Sequence, residues 1–265
     1  MTTADISRLS RAVLALGLAV VLAPAVAAAA TPTVAVLHEA WRAGGEDDEI
    51  FFGNVGTVRL DDAGNILLLD SQLAEVHVYS PAGDHLATLG REGDGPGEVR
   101  RPGDMFVKTD GTVAMVQSFP GRIVMVHPDG TPAGETTYTP PGGAAAGQFS
   151  VLVRAFRLGD GMLLAGIRMT FGGSSQSTQT YFLSRCDADG AEQQVLLQKE
   201  HVIDYADFRL DEMKMDFVWN RVAVGPDGRV YVAPERNAYA VHVFAPDGAT
   251  ERVIKRDYEA PVREQ

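Results

Sequence analysis

A glycine-marked turn recurs in pairs along this chain, and it limits the fold more than any other feature. The pairs are Gly64 and Gly83, Gly111 and Gly130, Gly161 and Gly190, Gly228 and Gly248, with separations of 19, 19, 29 and 20. First members lie 47, 50 and 67 residues apart. Side chains keep register to these turns. Two and four residues after each first glycine sit Ile66 and Leu68, Val113 and Met115, Leu163 and Ala165, Val230 and Val232. This is the period-2 pattern of a strand leaving a tight turn. Seven, five and four residues before each second glycine come Val76, Val78 and Tyr79; Ile123, Met125 and Val126; Leu183, Arg185 and Cys186; Val241, Val243 and Phe244. Each unit therefore reads as strand, turn, strand, loop, strand, turn, strand. Four antiparallel strands in about 47 residues, repeated, mark the blades of a β-propeller.

The expected fold is all-β, with four recognisable blades over about 53–101, 102–147, 148–200 and 217–260. Helix is nearly absent from this reading; only 203–216 is ambiguous between a helical turn and a loop. Val34–Trp41 alternates like an outer strand but has no unit of its own, so an orphan N-terminal strand over 33–41 is expected. In a closed propeller such a strand completes the last blade. Here the other three strands of that blade are missing, which suggests a truncated chain or self-association through open sheet edges.

The third unit departs from the others. Phe171–Gln179 reads as a swollen middle loop, and His201–Asp216 as an insertion. Long loops on a repeat scaffold carry binding function or are merely tolerated. Pro140–Gly147 reads as a flexible connector.

Residues 1–30 read as a secretory signal. Arg8 and Arg11 precede an apolar run from Ala12 to Ala23, with small residues at Ala25–Ala30 suited to cleavage. The run is short for a spanning helix. The domain is then 31–265, periplasmic or secreted, with no membrane span after cleavage. The chain carries −12 overall. Asp5 against Arg8 and Arg11 makes the signal +1, leaving −13 on the remainder. That charge disfavours nucleic acid as a partner. Cys186 is the only cysteine, so no intrachain disulfide can form.

Between the first two units lies Gly90–Pro102, with four glycines and two prolines in thirteen residues. It could cradle an anion, or present Glu92, Asp94 and Glu98 to calcium, but a rigid connector between sheets is the plainer reading. With the repeats, Gly90, Arg91, Gly93, Gly95, Pro96, Gly97, Glu98, Val99 and Pro102 resemble the bacterial exported six-bladed β-propeller family, related to NHL-repeat proteins. The resemblance covers roughly 34–263 and implies a binding or scaffolding role. It supplies no catalytic residue. Six blades would need about two more units.

Motifs for catalysis are lacking. No G-x-S-x-G is present, and His38-Glu39 lacks the second histidine of a zinc motif. Asp187–Gly190 resembles the start of a calcium loop, but position twelve is Gln198 rather than Glu. His77 and His242 are symmetry-equivalent and read as half-exposed strand histidines rather than ligands. Cys186 takes the place of apolar residues and reads as buried. Trp41 and Trp219 read as core or rim. No catalytic, cofactor-binding or metal-ligating residue is assigned, and no cofactor. The favoured function is a non-catalytic exported propeller that binds a protein or small ligand through its blade loops. One alternative is a hydrolase or lyase using a divalent cation at the axis, for which Asn54, Asp104 and Asn220 are the candidates. Another is a truncated propeller without independent function.

Overall fold

The computed structural model describes residues 35–45, 48–172, 175–209 and 211–257. The chain divides into a short unit, Met1–Glu39, and a large one, Ala40–Gln265. The described part of the first has neither strand nor helix, and the signal-like segment 1–30 lies outside the described residues.

The large unit is a four-bladed β-propeller. Blade 1 contains β1 (Val55–Leu60), β2 (Ile66–Asp70), β3 (Glu75–Tyr79) and β4 (His85–Leu89). Blade 2 contains β5 (Pro102–Val107), β6 (Val113–Gln117), β7 (Arg122–Val126) and β8 (Pro132–Thr136). Blade 3 contains β9 (Gln148–Leu158), β10 (Gly161–Gly172), β11 (Gln176–Cys186) and β12 (Glu192–Asp204). A single helical turn, α1 (Glu212–Met215), precedes blade 4, which contains β13 (Val222–Val224), β14 (Val230–Val232), β15 (Ala240–Phe244) and β16 (Thr250–Lys255). Each blade is an antiparallel meander with its strands in sequence order.

The turns explain the register. In six of the eight, an aspartate side chain accepts from the amide two residues on: Asp61 from Ala63, Asp110 from Thr112, Asp129 from Thr131, Asp187 from Asp189, Asp227 from Arg229 and Asp247 from Ala249. These Asx-turns bend the chain before the ladder begins, and the following glycine takes the left-handed conformation, φ +84° at Gly64.

The blades pack face to face through three apolar cores. The first joins Leu67, Leu69 and Val76 of blade 1 to Met105, Val113 and Met115 of blade 2. The second joins Phe106, Val116 and Ile123 of blade 2 to Leu152, Leu164 and Phe182 of blade 3. The third joins Leu163, Tyr181 and Leu183 of blade 3 to Val230, Val232 and Phe244 of blade 4. Among the described residues no such core joins blade 4 to blade 1.

Three expectations need correction. Described residues 35–45 form no strand, so the orphan outer strand is not there. Instead Trp41 stacks on Tyr79 at 5.6 Å between ring centroids and donates from Nε1 to the Pro81 carbonyl at 3.2 Å. A Cβ at Gly83 would lie 2.7 Å from the Trp41 ring, so glycine makes room for it. Second, Phe171–Gln179 is no swollen loop. β10 and β11 stay paired as far as Gly172 and Gln176. Third, His77 is buried, 3% exposed, because the Phe52 ring packs edge-on against it.

Candidate functional site

The innermost strands bring Asp104 and Asn220 onto one polar chain, but not into a cation site. β1 and β5 each shift register at a glycine, Gly56 and Gly103, and β9 shifts at Val153. Such a bulge re-aims the residue that follows. Those residues are Thr57, Asp104 and Arg154, all seven before a turn glycine. Asp104 is fully buried and accepts from the Thr57 hydroxyl (3.2 Å), the Arg59 guanidinium (2.8 Å) and the Ala155 amide (3.0 Å). Arg154 stands 3.9 Å from the same carboxylate and donates to Asn220 Oδ1 (2.6 Å) and to the Trp219 carbonyl (3.1 Å). One carboxylate is thus shared by two guanidinium groups, and its oxygens are occupied. Asn54 belongs elsewhere, donating to the Ser71 hydroxyl at 2.8 Å. Among the described residues no cluster of His, Cys, Asp or Glu has the arrangement of a metal site.

Where the inner strands end, a groove of about 850 Å³ lies among Arg59, Phe156, Arg157, Leu158, Val224 and Gly228. Arg157 crosses from blade 3 to the β1–β2 turn, bonding Asp62 through both terminal nitrogens at 2.9 Å. The hydrogen bond from Arg157 holds the Asp62 carboxyl below its ordinary range. The groove's arginines are therefore largely engaged by the protein itself.

The Gly90–Pro102 connector is filled from within. Glu98 accepts from the Gly95 amide (2.9 Å) and from Arg91 Nε (2.7 Å), and Arg100 grips Asp94 with two bonds of 2.7 Å. A side chain at Gly93 would collide with the Glu98 carboxylate, so this glycine is demanded by the plug. An exogenous anion would have to displace that carboxylate. The segment before blade 1 repeats the device: the Gly45 amide donates to Asp48 at 2.8 Å. Asp187 caps its own turn and receives Gln193, as its counterparts in other blades cap theirs. Burial pushes the Cys186 thiol up to about 12, which leaves it a poor nucleophile.

What distinguishes one end of the molecule is the height of blade 3. Its strands run eleven, twelve, eleven and thirteen residues, against five or six in blades 1 and 2. On one side of the extension Phe149 meets Phe119 of the β6–β7 hairpin at 5.4 Å and Phe171 at 5.7 Å. Phe119 and Phe171 stay 62% and 53% exposed. On the other side, β12 and the chain around α1 enclose a cleft of about 530 Å³ lined by Lys199, Met213, Asp216, Phe217, Pro234 and Arg236. Asp211 caps α1 by accepting from the Met213 and Lys214 amides. Lys199 Nζ pins the segment by donating to the Met213 carbonyl (2.7 Å) and the Asp216 carbonyl (2.9 Å). Arg221 grips Asp216 with bonds of 3.1 and 2.7 Å, and the first of these influences on Asp216, that hydrogen bond, lowers its pKa. The cleft is thus a built feature with apolar walls and a rim of both charges, Lys199 and Arg236 beside Asp216 and Glu235.

The aromatic trio escaped the sequence reading because Phe119 and Phe171 sit beside turn-forming residues. The polar chain carried a readable signal: one polar or charged residue seven before each of the first three such glycines, Thr57, Asp104 and Arg154.

No protein-family model matches this sequence, and no curated protein does. Solved structures do. A Bacteroides fragilis protein described as exported aligns at 14% identity and TM-score 0.47, covering 79% of this chain and 52% of that one. Virginiamycin B lyase from Staphylococcus aureus aligns at 10% identity and TM-score 0.40, covering 76% and 55%. The β-propeller domain of Myceliophthora thermophila Cps50 aligns at 10% identity and TM-score 0.35, covering 80% and 90%. The chain spans about half the length of the first two.

Proposed function

We propose that this chain is an exported, non-catalytic binding propeller, kin to the six-bladed exported family, and that it takes a protein or small ligand at the end where blade 3 stands tall. The observation that supports this is the extension itself. It places solvent-exposed aromatic rings on one side and a 530 Å³ cleft on the other. A large exposed aromatic surface is a common mark of a recognition site. The axial carboxylate and amide are engaged by arginines, which weighs against a cation at the axis.

The export half of the reading predicts that the chain, expressed with its N-terminus intact in a bacterial host, is recovered from the periplasm or medium with a new N-terminus near residue 28 or 31. Recovery from the cytoplasm, uncleaved, would refute it. The binding half is tested by a thermal-shift panel of peptides and small organic ligands on the wild type and on a variant whose β10–β11 hairpin is shortened by deleting the paired residues 170–171 and 177–178. Ligands that raise the wild-type Tm are expected to leave the shortened chain unmoved. Turnover of a substrate by the wild type, abolished by Asp104→Asn, would replace this reading with an enzymatic one.

A further inference from the structure

The two terminal blades each present a face that, elsewhere in the molecule, is the inside of a blade-to-blade core. Counted from the turn glycines, Val58, Leu60, Ile66 and Leu68 of blade 1 correspond to Met105, Val107, Val113 and Met115 of blade 2. In blade 2 those four are buried in the first core, none more than 7% exposed. In blade 1 the same positions keep apolar side chains, yet Val58 is 52% and Leu60 66% exposed, and Ile66 and Leu68 are half-buried. The face is thus open over β1 and β2, while its β3 part, His77 and Tyr79, is covered by the chain's own Phe52 and Trp41. At the other end, Tyr231, Val241, Val243 and Ile254 of blade 4 correspond to Leu67, Val76, Val78 and Leu89 of blade 1, which form blade 1's side of the first core. Ile254 is 44% exposed and Tyr231 and Val241 are half-buried, while Val243 is already buried.

We infer that these two faces dock on each other between copies of this chain: blade 4 of one copy packs on blade 1 of the next, in a head-to-tail contact that continues the internal packing. Three features select a second copy as the occupant. The faces are the two different sides of one junction type, so each supplies what the other lacks. The contact extends an interface that the molecule already builds three times. Charge agrees as well. Arg252 and Arg256 stand exposed on the blade 4 side, while Asp48 beside Tyr79 and Glu75 beside His77 stand on the blade 1 side. Such a contact is heterologous, so it leads to rings or open chains rather than closed two-fold dimers.

The test is light scattering behind size exclusion on the full chain over a hundredfold range of concentration, with Leu60→Glu and Val241→Glu. The wild type is expected to grow in mass with concentration, and each variant alone to remain monomeric. An equal mixture is expected to form dimers and nothing larger, because only the blade 4 face of the Leu60→Glu chain and the blade 1 face of the Val241→Glu chain are intact. A wild type that stays monomeric throughout overturns the inference, whether the faces are left bare or covered by another chain. So does a single variant that still associates, or a mixture that does not. Should a glutamate variant lose its cooperative melt, Leu60→Ser and Val241→Ser replace it, and at least a tenfold weakening of association is expected of each.

Discussion

Blade 2 and blade 4 are made from the same repeat, yet they are held in very different ways. At equivalent positions Ala114 of β6 and Ile123 of β7 are buried, whereas Tyr231 of β14 and Val241 of β15 are half-buried. Blade 2 has a neighbour on each side; blade 4 has one core, against blade 3. Burial in this molecule is thus conferred by the adjoining blade and not by the alternation of the strand itself. A strand pattern fixes which residues share a face; whether that face is covered is decided elsewhere in the chain.

The comparison breaks first at Asp104. Blade 2 is tied through this buried carboxylate to blades 1 and 3 at once. Asp104→Ala leaves the Ala155 amide and two guanidinium groups without their shared acceptor and is expected to cost about 3–5 kcal/mol. Urea unfolding followed by circular dichroism would show it as a lower midpoint. A loss below about 1 kcal/mol would mean that the polar chain is ornamental. Next, Ile123→Ala in blade 2 opens a cavity in a filled core and should cost about 2–5 kcal/mol. Val241→Ala in blade 4, on a half-covered face, should cost about 1 kcal/mol or less in a dilute monomer. Equal losses would remove the distinction between the two blades.

A finer contrast lies where each connector is fastened. Asp70 at the end of β2 accepts from the Gly53, Asn54, Gln72 and Leu73 amides, while the equivalent Gln117 of blade 2 accepts from the Arg100 amide. Burial pushes the Asp70 carboxyl up, but the four amides together outweigh it and hold the carboxyl low. A depressed folded pKa means that this contribution is complete above the unfolded value, near 3.9, and is lost as pH falls through the lower folded one. Amide exchange at Gly53 and Asn54 should therefore quicken on acidification below about pH 4 relative to Arg100, whose acceptor does not titrate. Asp70→Asn should flatten the difference. Parallel behaviour of the two connectors would contradict it.

Much of the fold was legible because its determinants are local. Asx-turns followed by glycine announce themselves by residue type, and side chains counted from Gly64 or Gly111 fall on the right strands. What was not legible depended on partners. Residues 35–41 alternate well but have no neighbouring strand, so alternation alone built nothing. Phe171 to Gln179 looks like a loop because its ladder pairs, such as Phe171 with Ser177 and Thr170 with Thr178, mix polar and apolar residues where blade 3 rises above its neighbours. Of the axial candidates, the sequence located Asp104 and Asn220 near the inner strands. It could not show that Arg59 and Arg154, far off in the chain, arrive to claim them.

The shared carboxylate also sets an order of disassembly. Blade 2 cannot swing away without abandoning contacts on both flanks, whereas the inner polar link to blade 4 consists of Arg154 reaching Trp219 and Asn220. Blade 4 is the natural first piece to peel, hinging near residue 220 while the other three hold their shape. A molecule assembled this way frays from one end, where the last blade is held by one apolar core and a short polar link.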